Sequence, residues 1–311
     1  PIPPEATAVH KITDEDVKDC PTFRQIAKSL AGYIEGCDFG GFNSNKFDVP
    51  LLVDNAHGAY LNFLSPSLHP IALGAWACCD SAHKTLPVLT GGAYLHVSPD
   101  SADIFSDKVK SALALFGSTS PSYLILQSLD IANKYIYDGY REKLAEFVKS
   151  VDILKSKLVE NGYSLCGNEP LKITIRTKEY GYYGFEIAEM LEKENIFCEF
   201  SDRDFIVFML TPESVNDIQK LENALLSIAK KETIPEKPPV FSLPKKATEI
   251  RNAVFSEYET IPANESEGRI LAAANVSCPP AVPIVVCGEK IDKKAMECFE
   301  YYGIKEVNVI K

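Results

Sequence analysis

Leu51-Leu52-Val53-Asp54-Asn55-Ala56-His57-Gly58 is an apolar, β-branched run that ends in a carboxylate, a small residue, an imidazole and a glycine. A buried parallel strand that delivers polar groups at its carboxyl end has this pattern. A second run, Ala77-Cys78-Cys79-Asp80-Ser81-Ala82-His83-Lys84-Thr85-Leu86-Pro87, takes a small apolar strand into Ser-Ala-His-Lys. In open α/β sheets ligands sit just beyond the carboxyl ends of strands. Two adjacent strand ends carrying Asp54 and His83-Lys84 are therefore expected to face one pocket.

A lysine so placed can form a Schiff base with a carbonyl cofactor, of which pyridoxal phosphate is the commonest. Its ring nitrogen must stay protonated to act as an electron sink, which calls for an acidic partner such as Asp54. Ser81 and His83 flank the lysine as candidate donors to the phosphate. Each word alone also has a plainer reading. An Asp at a strand end is more often a cap or a turn former, and a Lys after a strand is usually solvated surface. Two such words in this order, followed by Thr90-Gly91-Gly92-Ala93-Tyr94-Leu95-His96-Val97, are far more specific.

Together they resemble the Orn/Lys/Arg decarboxylases, group I, in the arginine decarboxylase-like branch. The resemblance implies an α/β fold: a partial, mostly parallel pyridoxal-phosphate domain like that of aspartate aminotransferase, an α+β small domain and a C-terminal decarboxylase domain. It implies Lys84 as the residue that carries the cofactor and Asp54 at its ring nitrogen, with Ala56, His57, Ser81 and His83 around it. The implied reaction is decarboxylation of a basic amino acid, arginine first and then lysine or ornithine, to the amine and carbon dioxide. Lys84 or His83 would protonate the α carbon. His57 would support either the cofactor or the substrate carboxylate. In the family a Thr-Ser-Pro-x-Tyr word closes over the phosphate from a partner subunit, and Thr119, Ser120, Pro121 and Tyr123 match it. The plainer reading makes Ser120 a helix N-cap with Pro121 in the first turn. Homo-oligomerisation follows from the resemblance alone.

Further along, Glu267-Gly268-Arg269-Ile270, Cys278-Pro279-Pro280-Ala281-Val282-Pro283-Ile284 and Cys287-Gly288-Glu289 resemble the family's carboxyl-terminal domain. Relatives usually carry Gly where Ala281 stands and Pro where Cys287 stands. Glu289 is a candidate partner for the distal cation of the substrate, or a turn carboxylate that holds its own loop. Only 53 residues precede Asp54, fewer than the family's first strands, phosphate turn and ring-stacking His need. A truncated chain, an internal deletion or a degenerate, non-catalytic relative acting as a partner or regulatory subunit would each account for this.

Composition narrows the classes. Of the 311 residues 46% are hydrophobic and 24% charged, with a net charge of −11, ordinary for a soluble globular chain and unfavourable for nucleic acid or an anionic membrane surface. No run approaches the ~18 apolar residues of a membrane span. The first residues show neither the basic nor the apolar region of a signal peptide. Nine cysteines without framework spacing suggest reduced thiols in the cytoplasm. Cys78, Cys79 and His83 lack a fourth ligand at zinc spacing, so no metal is expected.

The chain divides into an unassigned segment over 1–47, with a helix from Asp14 through Leu30 and then a Gly/Asn loop, and a partial cofactor domain over 48–138. A bridging helix and α+β domain follow over 139–233, and a linker with the C-terminal domain over 234–311. Within these spans, helices are expected over 101–115, 122–137, 139–161, 183–194 and 215–230. Strands are expected over 171–176, 197–200 and 205–210.

Overall fold

Apolar side chains at every second position build the strands of this chain, and at every third or fourth position its helices. The computed structural model describes residues 51–240, 243–278 and 282–311. The segment 1–47 with its expected helix and loop, and Ala281, lie outside them. Strand β1 (Leu52–Asp54) runs parallel to β2 (Ala77–Asp80), with Leu52 opposite Ala77 and Asp54 opposite Cys79. One helical turn, α1 (Ala82–Thr85), leads on to β3 (Tyr94–Val97), which completes a sheet ordered β1-β2-β3. Helices α2 (Ala102–Phe116), α3 (Tyr123–Tyr137) and α4 (Tyr140–Glu160) follow.

The fold falls into two units. One comprises the described part of Pro1–Asn55 with Pro70–Cys79 and Leu95–Thr119; the other comprises Ala56–His69, Asp80–Tyr94 and Ser120–Lys311. In the first, Trp76 meets Phe105 edge-on at 6.2 Å, and Ser101 Oγ donates to the Trp76 carbonyl at 2.8 Å. These contacts tie the approach to β2 to the start of α2. The expectation of a buried strand at 51–54 is corrected here. β1 is the edge of the sheet among the described residues, and Leu52 is 62% exposed. In β2 the pleat puts Cys78 inside and Cys79 outside, because successive side chains point to opposite faces.

In the second unit, Leu144, Phe147, Val151, Leu154 and Leu158 of α4 form a fully buried stripe. Strands β4 (Leu165–Cys166), β5 (Lys172–Arg176), β6 (Phe200–Ser201) and β7 (Phe205–Met209) make an antiparallel sheet ordered β4-β5-β7-β6. Ile173, Ile175, Ile206 and Phe208 on one face share a core with that stripe. Leu191 of α5 (Gly184–Glu192) and Leu225 of α6 (Ile218–Ser227) join the same core. Each such side chain contributes about 1.5–3 kcal/mol by leaving water. Ala82 and Leu86, on either side of Lys84, are buried in this core too.

Three expectations shift locally. The strand expected at 197–200 begins only at Phe200, because Asn195 takes a left-handed φ of 55° after α5 and the chain needs several residues to regain the sheet. The helix expected over 215–230 shortens to α6. Pro212–Ser214 forms its own capped 3-10 turn before it, and Ile228 turns extended after it. Ser120 is not an N-cap. The first helical bond of α3 runs from Leu126 N–H to the Ser122 carbonyl, so Ser122 holds that place and Pro121 stands outside the helix. Within α3, Ala132 is buried and Leu124 is 67% exposed.

The chain ends in β8 (Lys245–Lys246), α7 (Ile250–Phe255), β9 (Tyr258–Pro262), β10 (Asn275–Cys278), β11 (Val282–Val286), β12 (Glu289–Lys290), α8 (Lys293–Tyr301) and β13 (Glu306–Ile310). Antiparallel pairs β9–β13, β10–β11 and β8–β12 surround a separate core with Leu271, Ile284, Val285, Phe299 and Val309. A buried lysine joins this region to the four-stranded sheet. Lys178 Nζ donates to Asp204 Oδ1 at 3.0 Å, to the backbone and carboxylate oxygens of Glu236 at 3.2 Å, and to the Tyr301 hydroxyl. Tyr301 in turn donates to both Asp204 oxygens, at 2.8 and 3.0 Å.

Candidate active site

The turn that carries Lys84 is fixed from behind. Ala82, Thr85 and Leu86 are buried while His83 and Lys84 are half-buried, so the turn is anchored by one side. The strand that leads into it is anchored as well: Asp80, the last residue of β2, meets His69 Nε2 at 3.0 Å, both side chains almost wholly buried. The Ser81 N–H donates to the Ala56 carbonyl at 3.3 Å, which binds this turn to the segment after β1. His57 follows Ala56 directly, and its Nε2 lies 2.9 Å from Lys84 Nζ.

His57 and Lys84 open on a cleft of about 810 Å³, within the range of ligand-binding clefts. Its far wall is the open face of the four-stranded sheet. Lys172 and Thr174 of β5 and Phe205 and Val207 of β7 point there, because their neighbours Ile173, Ile175, Ile206 and Phe208 point into the core. Glu169, Glu199, Asp202 and Asp204 bring four carboxylates to the rim, against the two ammonium groups of Lys84 and Lys172. Burial holds the His57 imidazole below its usual 6.5, helped by Lys172 and Lys84 and opposed by Glu199 and Glu169. It is therefore neutral at pH 7. Burial raises Asp202, whose Oδ1 accepts the N–H groups of Phe205 and Asp204.

Of the expected residues, only His57 and Lys84 line this cleft. His83 Nδ1 faces the Gly92 carbonyl at 3.0 Å, which commits that nitrogen as the donor. Ser81 and Ala56 contribute backbone groups beside Lys84. Asp54, exposed at the end of β1, and Thr119 belong to the other unit, and Ser120 is exposed ahead of α3. Glu289 begins β12, where its Oε2 accepts the Val286 N–H at 2.9 Å; it does not line the cleft. Sequence reading missed the His69–Asp80 pair and the carboxylate rim. The alternation over 171–176 and 205–210 was the available signal for the wall, since a half-buried strand must turn alternate residues outward.

The family model described as Orn/Lys/Arg decarboxylase, major domain, matches residues 42–166, and that described as Orn/Lys/Arg decarboxylase, C-terminal domain, matches residues 229–307. The chain belongs to the Orn/Lys/Arg decarboxylase family. This family member is 31% identical over 279 residues to the protein YaaO of Bacillus subtilis, which covers 82% of this chain and 56% of that one. It is 31% identical over 301 residues to an arginine decarboxylase of the same organism, covering 88% and 58%. Two solved structures share the fold. A constitutive lysine decarboxylase of E. coli superimposes with a TM-score of 0.65 at 16% identity, over 86% of this chain and 55% of that one. Lysine decarboxylase A of Pseudomonas aeruginosa does so with 0.65 at 15%, over 92% and 60%. The chain thus spans little more than half the length of the curated relatives it matches.

Proposed function

We propose that this chain carries a pyridoxal-phosphate-dependent decarboxylation of a basic amino acid, with arginine favoured over lysine and ornithine. The observation that carries the reading is the Lys84 amine, held 2.9 Å from a neutral imidazole at the mouth of a ligand-sized cleft. A primary amine beside a proton acceptor fits the aldehyde end of the cofactor, and the Glu199 and Asp202 carboxylates, beyond those of Glu169 and Asp204 that Lys172 and Lys178 already pair, favour a cationic substrate. When bound, pyridoxal phosphate supplies an electron sink for the bond that carbon dioxide leaves.

The chain's own groups divide the remaining work. Lys84 Nζ would hold the cofactor, and Lys84 or His83 would return a proton to the α carbon. On the sequence resemblance, Ser81 and His83 would meet the phosphate. The sequence resemblance alone adds three assignments: Asp54 as the carboxylate that keeps the ring nitrogen protonated, and Thr119 and Ser120 as phosphate ligands supplied across a homo-oligomer. Glu289 keeps its candidate role toward the distal cation on the same ground. The domain limits proposed for this activity are 48–138 for the cofactor domain, 139–233 for the small domain and 234–311 for the C-terminal domain. Among the described residues no helix is long and apolar enough to cross a membrane, and six cysteines stand outside any disulfide. Thiols outside disulfides support a reducing, cytoplasmic setting. The relatives named arginine decarboxylase support arginine as the first substrate to try.

The test adds pyridoxal phosphate to the purified chain and records the yellow absorbance band, then carbon dioxide release from arginine, lysine and ornithine, with agmatine, cadaverine and putrescine as products. Lys84→Ala is expected to erase the band, and Asp54→Ala to leave it while nearly abolishing turnover. No band at saturating cofactor would overturn the catalytic reading in favour of a partner or regulatory subunit.

A further inference from the structure

We infer that Lys172 recognises the α-carboxylate of the substrate and so separates a basic amino acid from its amine product. The inference deepens the proposed decarboxylation and rests on it. A basic amino acid brings its α-amino group to the aldehyde end of the cofactor, where Lys84 stands. Its carboxylate hangs from the same α carbon, so that anion must settle close to Lys84. The cleft as a whole is a poor place for an anion. Glu199 and Asp202 line it beyond the paired Glu169 and Asp204, and like charges disfavour a further carboxylate. A local cation has to offset them. Among the described residues that line the cleft, only Lys84 and Lys172 carry an ammonium group. His57, the third basic group there, is held neutral by burial and by the two lysines. Lys84 is committed to the cofactor, and Lys172 remains.

The placement fits that role. Lys172 opens β5, and its side chain takes the cleft face because Ile173 beside it lies in the core. Its charge acts on the His57 imidazole, which itself meets Lys84 at 2.9 Å. Lys172 Nζ pairs with Glu169 Oε2 at 2.8 Å, and both side chains stay partly open, at 21% and 36%. The Lys172 N–H donates to the Glu169 carbonyl at 3.3 Å, so one turn holds the pair. An ammonium has three donors, and the bond to Glu169 leaves two for a carboxylate. Glu169 also limits the grip. A carboxylate held too tightly resists leaving as carbon dioxide, because only binding that strengthens in the transition state speeds a reaction. Once carbon dioxide has gone, the amine product carries positive charge alone and meets repulsion from Lys172. The residue thus favours entry of the amino acid and departure of the amine.

The test compares arginine with agmatine, which lacks only the carboxylate. Both are titrated by calorimetry into the Lys84→Ala chain filled with deoxypyridoxine phosphate, a cofactor analogue without the aldehyde, so neither ligand reacts. Adding Lys172→Met is expected to weaken arginine about tenfold, the low end for a hydrogen bond to a charged group. Agmatine is expected to bind equally or more tightly. Lys172→Arg is expected to restore most of the arginine affinity. Arginine and agmatine weakened alike, or arginine unchanged, overturns the inference, as does failure of the Lys84→Ala chain to bind arginine. Should Lys172→Met fail to fold, the Lys84→Ala chain decides with argininamide, in which a neutral amide replaces the carboxylate. Argininamide is expected to bind about tenfold more weakly than arginine, and equal or tighter binding overturns the inference. The proposed function fails on a different sign, the missing yellow band of the wild-type chain. A band with arginine binding indifferent to Lys172 would leave that function standing without this role. Lys172-dependent binding of arginine without a band would do the reverse.

Discussion

Replacing Lys178 by methionine keeps the aliphatic stem and deletes the charge at the junction of β7, the linker and α8. Lys178 is 7% exposed, and the side chain of its partner Asp204 is 11% exposed. The change leaves that carboxylate nearly dry, with Tyr301 as the hydroxyl still bonded to it. Removing one member of a buried pair costs roughly 3–5 kcal/mol, because the survivor's desolvation goes uncompensated. The Glu236 contact adds at most about 1 kcal/mol, since that side chain is 39% exposed and keeps Arg203 at 3.1 Å. Urea unfolding followed by circular dichroism should therefore show a loss of about 3 kcal/mol or more. Adding Asp204→Asn should return part of it, with a coupling of about 1–3 kcal/mol. The pH dependence has a definite sign. Burial pulls Lys178 down, but the bonds to Tyr301, Asp204 and Glu236 outweigh it, and the net position lies above 10.5. A raised lysine contributes its stability in full below 10.5 and loses it as pH rises through the folded value. The gap between wild-type and Lys178→Met should hold across neutral pH and close only in strong alkali. A loss under about 0.5 kcal/mol, or strict additivity with Asp204→Asn, would refute the reasoning.

Gly184→Ala should be severely destabilising, because a Cβ there would lie 2.1 Å from the Phe205 carbonyl oxygen and 2.5 Å from that of Asp202. Backbone cannot yield cheaply, so a loss of at least about 2 kcal/mol is expected and a thermal melt would measure it. His57 predicts the opposite pH sign to Lys178. Its folded value lies below 6.5, so the unfolded chain takes up the proton first and stability falls as pH drops through 6.5. Melting temperatures of His57→Gln across the same range should lose that part of the slope, and an unchanged slope would count against a neutral, half-buried imidazole.

Much of the second unit was legible because its signals are local. The stripe from Leu144 to Leu158 and the alternation of Ile173, Ile175, Ile206 and Phe208 announced the elements and their buried faces. The nearness of Lys84 to His57 could be anticipated from two parallel strands ending side by side. What could not be read was anything that depends on where a strand lies in its sheet. Leu51 and Leu52 look like core in sequence, yet among the described residues β1 is an edge and they are exposed. The Glu289 carboxylate reads equally as ligand or brace in sequence, and the structure finds it on its own Val286 N–H. His69 and Asp80, eleven residues apart with turns between, carried no periodic signal at all.

The open face of β5 and β7 has a consequence for how such a chain can diversify. Along either strand, one residue holds the domain together and the next meets whatever enters the cleft. Thr174 or Val207 can therefore be exchanged to reshape the binding surface while Ile173, Ile175 and Ile206 keep the scaffold intact. Change of preference and retention of the fold are written on alternate letters of the same ten-residue text, and selection can edit one without erasing the other.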